Sequence, residues 1–147
     1  MKFLHPSPTS SARGATILRV VFGALIMVHG LQKLAAGHVA FAASVAAMGV
    51  QKPELMAWLV IAGETGLGLL LVLGALTRVA GFLAAVLYGG IWFVTEVGKP
   101  LLTDRPGVNA ELLIVYIAIS VALAFIGPGA LSVDRKLARQ GAGTRRP

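Results

Sequence analysis

The sequence predicts an all-α membrane protein, a transmembrane four-helix bundle with a short interfacial helix between the first and second spans. Hydrophobic residues make up 56% of the 147 residues and charged residues only 13%, whereas about a quarter of the residues of a soluble domain are charged. The apolar residues are spread over the whole chain, which leaves too little polar surface to cover a water-exposed globule. Lipid is therefore the expected environment of most of the chain.

Each predicted span is an apolar segment long enough to cross a hydrocarbon core of about 30 Å at 1.5 Å per helical residue. The four segments cover residues 16–36, 55–76, 78–97 and 110–128. Arg19 and Lys33 lie in the opening and closing turns of the first segment, where long basic side chains can reach opposite headgroup layers. The alternative for this segment is a signal peptide, because basic residues precede it and small residues follow it, but its hydrophobic stretch is longer than such signals have.

The first connection between spans is predicted to contain a helix of its own. Phe41, Val45 and Met48 recur at i, i+4 and i+7, which forms one apolar stripe before Gly49 and Pro53 end the pattern. We expect this short helix to lie at the membrane interface. The second external connection, GKPLLTDRPGVN, has the Pro and Gly residues typical of a loop.

Basic residues are concentrated at the ends that four spans bring to one side of the membrane. The N-terminal segment 1–15, the turn at Arg78 and the tail 132–147 hold most of the Lys and Arg residues and a single acid, whereas the other two connections hold acids and bases in equal number. The positive-inside rule then predicts that both termini are cytoplasmic. A four-span membrane domain over residues 16–131 separates the N-terminal segment from a basic tail, which is expected to be irregular after Leu137.

Charge and cysteine content exclude several classes of function. The net charge of +7 does not indicate a nucleic-acid partner, because the basic residues sit at segment ends and not on the face of a soluble module. The chain has no cysteine, so it can form no disulfide, thiolate metal site or thiol relay of its own. A bis-histidine haem would need a second histidine facing His29, but His5 and His38 lie outside the spans. We expect no metal site and no intrinsic cofactor.

Five ionisable residues are predicted to gather in the outer half of the bundle. The first two spans run in opposite directions, so His29 and Glu64 lie at nearly the same depth, roughly 10 and 13 Å below the outer ends. Lys33 is one turn above His29 on the same helix face, and Glu96 and Glu111 occupy the outer ends of the third and fourth spans. These side chains define a candidate polar site.

Glu64 is the most informative of these residues, because an ionisable group near the middle of a bilayer costs several kcal/mol unless it is paired or protonated. We expect it to exchange protons, with His29, Lys33, Glu96 and Glu111 as ligand-binding residues. The alternative is a structural pair of Glu64 with Lys33 or His29 that fixes helix register.

Three ionisable side chains, one of them among these five, have an ordinary structural interpretation. Arg19 and Arg78 lie near the cytoplasmic ends of their spans, where basic residues anchor the orientation of a membrane protein. Glu111, at the start of a span, also has the position of a carboxylate that the helix dipole favours.

The segments LRVVFGALIMVHGLQKL, GETGLGLLLVLGALTR, NAELLIVYIAIS and FIGPGALSVD together resemble the DoxX family of small four-helix bacterial membrane proteins. The resemblance covers about residues 17–135, and its specific points include Arg19, the His29-Gly30 pair, Lys33 and Glu64. It implies four spans in the bacterial plasma membrane. The family takes its name from the membrane subunit of a thiosulfate:quinone oxidoreductase, and relatives are described as parts of membrane oxidoreductase assemblies linked to thiol or oxidative stress.

Three functions follow from this resemblance and from the polar residues. The first is a quinone-interacting or membrane-anchoring subunit of an oxidoreductase complex, with a quinone as the candidate ligand and a protein partner that carries the redox cofactor. The second is a non-enzymatic subunit that stabilises a larger membrane complex. The third, less favoured because four short spans show no broken helix, is a small-molecule transporter.

Overall fold

The computed structural model describes residues 8–102 and 108–143, and the regular structure within these ranges is helical. Six helices follow one another: α1 Pro8–Ala35, α2 His38–Ala47, α3 Pro53–Leu73, α4 Thr77–Glu96, α5 Glu111–Ile126 and α6 Val133–Gly143. Leu102 and Val108 form an isolated antiparallel bridge in the loop between α4 and α5. The predicted all-α class is confirmed. Residues 1–7 of the predicted N-terminal segment, 103–107 of the second connection and 144–147 of the tail lie outside the described ranges.

Three of the four predicted spans are helices long and apolar enough to cross a membrane. These helices are residues 10–35 of α1, with 26 residues, α3 with 21 and α4 with 20. The fourth, α5, is a shorter apolar helix of 16 residues, or about 24 Å at 1.5 Å per residue. The predicted boundaries agree with the ends of α3, α4 and α5 to within two or three residues, whereas α1 begins at Pro8, well before residue 16.

Close packing of α1 on α3 and of α4 on α5 organises the fold. A Cβ atom added at Gly68 of α3 would lie 2.7 Å from the carbonyl oxygen of Gly23 in α1, and one added at Gly81 of α4 would lie 2.9 Å from that of Ser120 in α5. Glycine is therefore needed at both crossings. The buried core between the helices consists of Phe22, Ile26, Leu71, Ala80, Ala84, Tyr88, Tyr116 and Leu123.

The predicted helix in the first connection is confirmed as α2. It packs against α3 and buries Ala42 and Val45. Of the predicted apolar stripe, Val45 is buried, Phe41 is half-buried and Met48 is exposed.

Arg19 departs from its predicted role as a residue that reaches toward the headgroups, because its side chain is 1% exposed. Its Nη1 donates hydrogen bonds to the carbonyl oxygens of Leu71 and, at 3.1 Å, Val72, and its Nη2 donates to Leu131 O at 2.5 Å. The last carbonyls of a helix have no intrahelical donor, and α3 ends at Leu73. Arg19 therefore ties the end of α3 to the segment before α6. Arg78 is exposed in the first turn of α4, and its anchoring role stays a prediction.

Asp134 of α6 caps the start of α4. Its carboxylate accepts hydrogen bonds from the backbone N–H groups of Leu76 at 2.7 Å and Thr77 at 2.9 Å. Burial opposes ionisation of this carboxyl group, but the hydrogen bonds from Thr77 and Leu76 and the charge of Arg19 outweigh burial and lower the pKa of Asp134 below its ordinary value. The carboxylate thus holds the turn between α3 and α4.

The tail after Leu137 was expected to be irregular, and this expectation is wrong for residues 138–143. They belong to α6, which begins at Val133 and ends at Gly143. The Ser132 side chain accepts a hydrogen bond from the N–H of Arg135 at 3.2 Å, in the manner of an N-cap. Leu137 is exposed on this helix at 60%.

Candidate functional site

An ion pair joins α1 to α3 at the end of the molecule opposite Arg19. Lys33 Nζ lies 2.5 Å from Glu64 Oε2; the Lys33 side chain is 26% exposed and the Glu64 side chain 3%. Gly30, one turn before Lys33, allows this approach, because a Cβ atom there would lie 2.8 Å from Thr65 N and 3.0 Å from Glu64 Cβ. The close contact of the two helices therefore brings the two charged groups together.

A histidine–tyrosine pair lies beside this ion pair and joins α1 to α5. His29 Nε2 is 3.1 Å from the hydroxyl oxygen of Tyr116, and the tautomer of the imidazole decides which of the two groups donates. The Tyr116 ring makes edge-to-face contacts with Phe22 and Tyr88, at centroid distances of 5.4 and 5.1 Å. Tyr116 is thereby fixed between α1 and α4.

Tyr88 of α4 completes the polar group. Its side chain is 3% exposed, and its hydroxyl lies close enough to the Glu64 carboxylate to interact with it electrostatically. No atom of the described residues meets ordinary hydrogen-bond geometry with this hydroxyl. We refer to Lys33, Glu64, His29, Tyr116 and Tyr88 as the polar cluster.

All five side chains of the polar cluster line one cavity of about 620 Å³. Its other walls are mainly apolar and come from α2 to α5: Phe41, Val45, Met48, Val50, Met56, Leu59, Val60, Val86, Leu87, Ile91, Val94, Leu112 and Leu113. Glu96 at the end of α4 also lines it and lies 3.4 Å from Lys99 Nζ. The cavity thus combines apolar walls with a small, concentrated set of polar groups.

Aromatic contacts connect α2 to the site. Lys33 Nζ lies 5.5 Å from the ring centroid of Phe41 in α2, a distance at which an ammonium is attracted by the ring face. His38, the first residue of α2, stacks on Trp58 of α3 with centroids 4.9 Å apart. These contacts hold α2 where its apolar residues form one wall of the cavity.

The sequence model of the DoxX family matches residues 14–97, which is more than half of the chain. The chain belongs to the DoxX family. A protein of Bacillus subtilis (strain 168) named "Putative oxidoreductase CatD" is 30% identical over 123 residues, which cover 82% of this chain and 84% of that protein. No solved structure matches the chain significantly. Family membership and the three long apolar helices together identify a membrane protein.

Four of the five predicted site residues of this DoxX-family protein meet in the cavity: His29, Lys33, Glu64 and Glu96. Glu111 does not, since it is exposed in the first turn of α5 and is absent from the cavity lining, whereas the adjacent Leu112 and Leu113 line it. The ligand role of Glu111 gains no support from this position.

Tyr88 and Tyr116 were not among the predicted site residues, so sequence reasoning missed two members of the polar cluster. A signal was present, because both tyrosines of the chain fall within apolar segments, where a phenolic hydroxyl needs a hydrogen-bond partner. Among the described residues, no group of three His, Cys, Asp or Glu side chains is arranged to hold a metal ion.

Proposed function

We propose that this DoxX-family protein is a quinone-interacting subunit of a membrane oxidoreductase. The observation that supports the proposal is the cavity of about 620 Å³ with the polar cluster in its wall. Its volume lies within the range of about 300–1,000 Å³ that is typical of small-molecule sites, and such sites are mostly apolar with a few placed polar groups. The name of the Bacillus subtilis relative supports the same class of activity.

The chemistry of a lipid quinone suits this lining. A quinone carries two carbonyl oxygens on an apolar ring and takes up two electrons and two protons when it is reduced to the quinol. Lys33 Nζ or His29 Nε2 donates a hydrogen bond to one carbonyl oxygen. The Glu64 carboxyl group exchanges the accompanying protons, while the apolar residues of α2 and α3 hold the ring and the tail.

The electrons come, in this proposal, from a reduced redox centre of a partner subunit. The chain has no cysteine, so it has no thiol of its own that could be oxidised. Its part of the reaction is therefore to bind the quinone, to orient it and to supply protons, while the partner oxidises its own substrate.

The same proposal includes the arrangement in the membrane. The helices α1, α3, α4 and α5 form a four-helix bundle that spans the bacterial plasma membrane, with both termini cytoplasmic and the polar cluster in the outer half. The distribution of basic residues supports this orientation. The shorter α5 requires local thinning of the bilayer, which costs only fractions of a kcal/mol per Å of mismatch.

The test is mass analysis of the small molecules retained by the protein after gentle purification from its native membrane. We expect quinone to be retained by the wild type and reduced at least about tenfold in Glu64→Gln. Glu54→Gln is the matched control, because Glu54 is an exposed carboxylate in the first turn of the same helix and does not line the cavity. Loss of quinone from both variants, or from neither, contradicts the proposal.

A second candidate function is a stabilising subunit of a larger membrane complex. It is favoured by the pairing within the polar cluster, where Lys33 bonds Glu64 and His29 bonds Tyr116, as in a network that fixes helix register. This alternative predicts that Glu64→Gln weakens co-purification of the partner, and that neither the wild type nor the variant retains quinone.

A further inference from the structure

The helix α6 differs from the other described helices in the character of its surface. It has a basic side, formed by Arg135, Lys136 and Arg139, and an apolar stripe, formed by Val133 and Leu137. Residues four apart share one side of a helix, and successive residues are about 100° apart, so the stripe and the basic side face different directions. Helices α1 to α5, in contrast, are predominantly apolar. A charged helix with one apolar stripe is typical of a helix that lies at a membrane interface.

The start of α6 is held at the turn between α3 and α4. The N–H group of Asp134 donates to Gly74 O at 3.0 Å, and its carboxylate accepts from the N–H groups of Leu76 and Thr77. Both α3 and α4 are long and apolar enough to cross the membrane, so the turn that joins them lies at one membrane surface. Leu76 in this turn is largely exposed, which is favourable only where the turn stays close to the hydrocarbon layer.

The stripe and the basic side of α6 lie close to this turn. At 1.5 Å per residue, Leu137 and Arg139 are only about 4.5 and 7.5 Å along the helix axis from Asp134. The headgroup layer is roughly 5–7 Å thick on each side of the hydrocarbon core. Whatever the tilt of α6, its long basic side chains are therefore in the headgroup layer or within reach of it.

Neither side of α6 is covered by the part of the chain that the structure describes. Leu137 and the three basic side chains are exposed, and α6 packs along none of the other described helices. Neither ion pair of the described ranges includes a residue of α6. The one acid of α6, Asp134, already accepts two backbone N–H groups. The positive charge of the basic side is thus available to an external anion.

We infer that α6 binds the membrane surface through the headgroups of anionic phospholipids. Val133 and Leu137 enter the edge of the apolar layer, while Lys136 and Arg139 bind the phosphate groups of lipids such as phosphatidylglycerol. Each basic residue near an anionic surface strengthens binding several-fold, so charge complementarity favours an anionic lipid over a zwitterionic one. The exposed Leu137 favours a membrane over a free anion. This inference does not rest on the proposed function.

The first experiment measures binding of phosphatidylglycerol and of phosphatidylcholine to the full chain in detergent micelles by native mass spectrometry. We expect Lys136→Gln/Arg139→Gln to raise the Kd for phosphatidylglycerol at least about tenfold and the Kd for phosphatidylcholine less than about twofold. Lys52→Gln/Lys99→Gln is the matched control, because it removes two positive charges from exposed side chains at the other ends of α3 and α4. This control is expected to bind both lipids as the wild type does.

Two results of this experiment overturn the inference. One is a wild type that binds phosphatidylglycerol no more tightly than phosphatidylcholine. The other is an equal loss of phosphatidylglycerol binding in the two double variants, which would mean that the net charge of the chain matters and not its position on α6. Both results leave the proposed function intact, because neither concerns the cavity.

A second measurement locates α6 and keeps its basic side unchanged. The chain has no cysteine, so a nitroxide label on Leu137→Cys is attached at a single site. In nanodiscs that contain phosphatidylglycerol, we expect this label to collide more often with oxygen, which partitions into the bilayer, than with a water-soluble nickel complex. A label that is mainly accessible to the nickel complex overturns the inference, even if Lys136→Gln/Arg139→Gln does not fold, and leaves this face of α6 to a partner protein.

Discussion

Arg19 and Glu64 are ionisable side chains buried near opposite ends of the α1–α3 contact, and they are held in different ways. Arg19 donates to three main-chain carbonyls, two of them at the end of α3 and one in the segment before α6. Glu64 is paired with the flexible side chain of Lys33, lies beside the Tyr88 hydroxyl and lines a cavity of about 620 Å³. Arg19 is thus bound to the backbone itself, whereas Glu64 is bound to a group that can move.

This difference separates a structural charge from a charge suited to chemistry. A guanidinium that satisfies backbone carbonyls is fixed as long as the fold persists. A carboxylate that shares one flexible partner and borders a cavity can change its protonation or its partner when a ligand arrives. Functional sites are the places where proteins accept lower stability for the sake of activity, and the two ends of this molecule should differ accordingly.

The largest effect on stability is expected from Arg19→Leu. The substitution replaces the guanidinium by an apolar group, so the carbonyls of Val72 and Leu131 lose their donor and that of Leu71 keeps only the N–H of Gly74. Unsatisfied buried polar groups cost about 1–3 kcal/mol each, so we expect the free energy of unfolding to fall by about 3 kcal/mol or more. The measurement is unfolding in mixed micelles, followed by circular dichroism.

Arg13→Leu is the matched control for Arg19→Leu. Arg13 lies on the same helix but is exposed, and exposed substitutions usually change stability by less than about 0.5 kcal/mol. If Arg19→Leu and Arg13→Leu lower the free energy of unfolding equally, the structural role of Arg19 is contradicted.

Asp134→Asn is expected to lower the free energy of unfolding by an intermediate amount that depends on pH. The carboxylate caps α4 through Leu76, which adopts the left-handed conformation at φ 49°, and Thr77. Loss of a capping group costs about 1 kcal/mol. The pKa of Asp134 is lowered in the folded protein from 3.8, so its contribution is complete above that value and is lost as the pH falls through the lower folded pKa.

Unfolding free energies of the wild type and Asp134→Asn, measured between neutral pH and about pH 2, check this prediction. The difference should be constant near neutrality and shrink below pH 3.8. Glu54→Gln changes an exposed carboxylate at the start of α3. Its unfolding free energy at neutral pH should be close to that of the wild type. A difference between wild type and Asp134→Asn that grows on acidification would contradict the assigned sign.

Sequence reasoning predicted the elements that depend on local physics. Hydropathy and the fixed rise of a helix located α3 and α4 to within three residues and placed His29 and Glu64 at nearly the same depth, with Lys33 one turn above His29. The structure pairs Lys33 with Glu64. The pairing followed because both helices cross the same apolar layer and a buried charge needs a partner.

Contacts that depend on the rotation of a helix about its axis, or on backbone carbonyl groups near helix ends, were not predictable in this way. The partners of Arg19 are carbonyls, which leave no residue pattern in the sequence. Glu111 is exposed while the next residue, Leu112, lines the cavity, and a rotation of α5 by about 100° separates these outcomes. The sequence is compatible with Tyr88 as a packing residue, and only the structure places its hydroxyl beside Glu64.

The smallest effect on stability is expected from Glu64→Gln, although its effect on the proposed function is the greatest. The glutamine has the same shape and retains an oxygen that can accept a hydrogen bond from Lys33, whose side chain is 26% exposed and therefore partly solvated. Removing one partner of a fully buried ion pair costs about 3–5 kcal/mol, because the other charge stays buried without its counter-ion, but here the remaining Lys33 ammonium is partly solvated and the desolvation cost of the Glu64 carboxylate is removed. We expect the free energy of unfolding to change by less than about 1 kcal/mol, in the same micelles used for Arg19→Leu. A loss as large as that of Arg19→Leu would mean that Glu64, like Arg19, serves the fold, and it would favour the stabilising-subunit function over quinone binding.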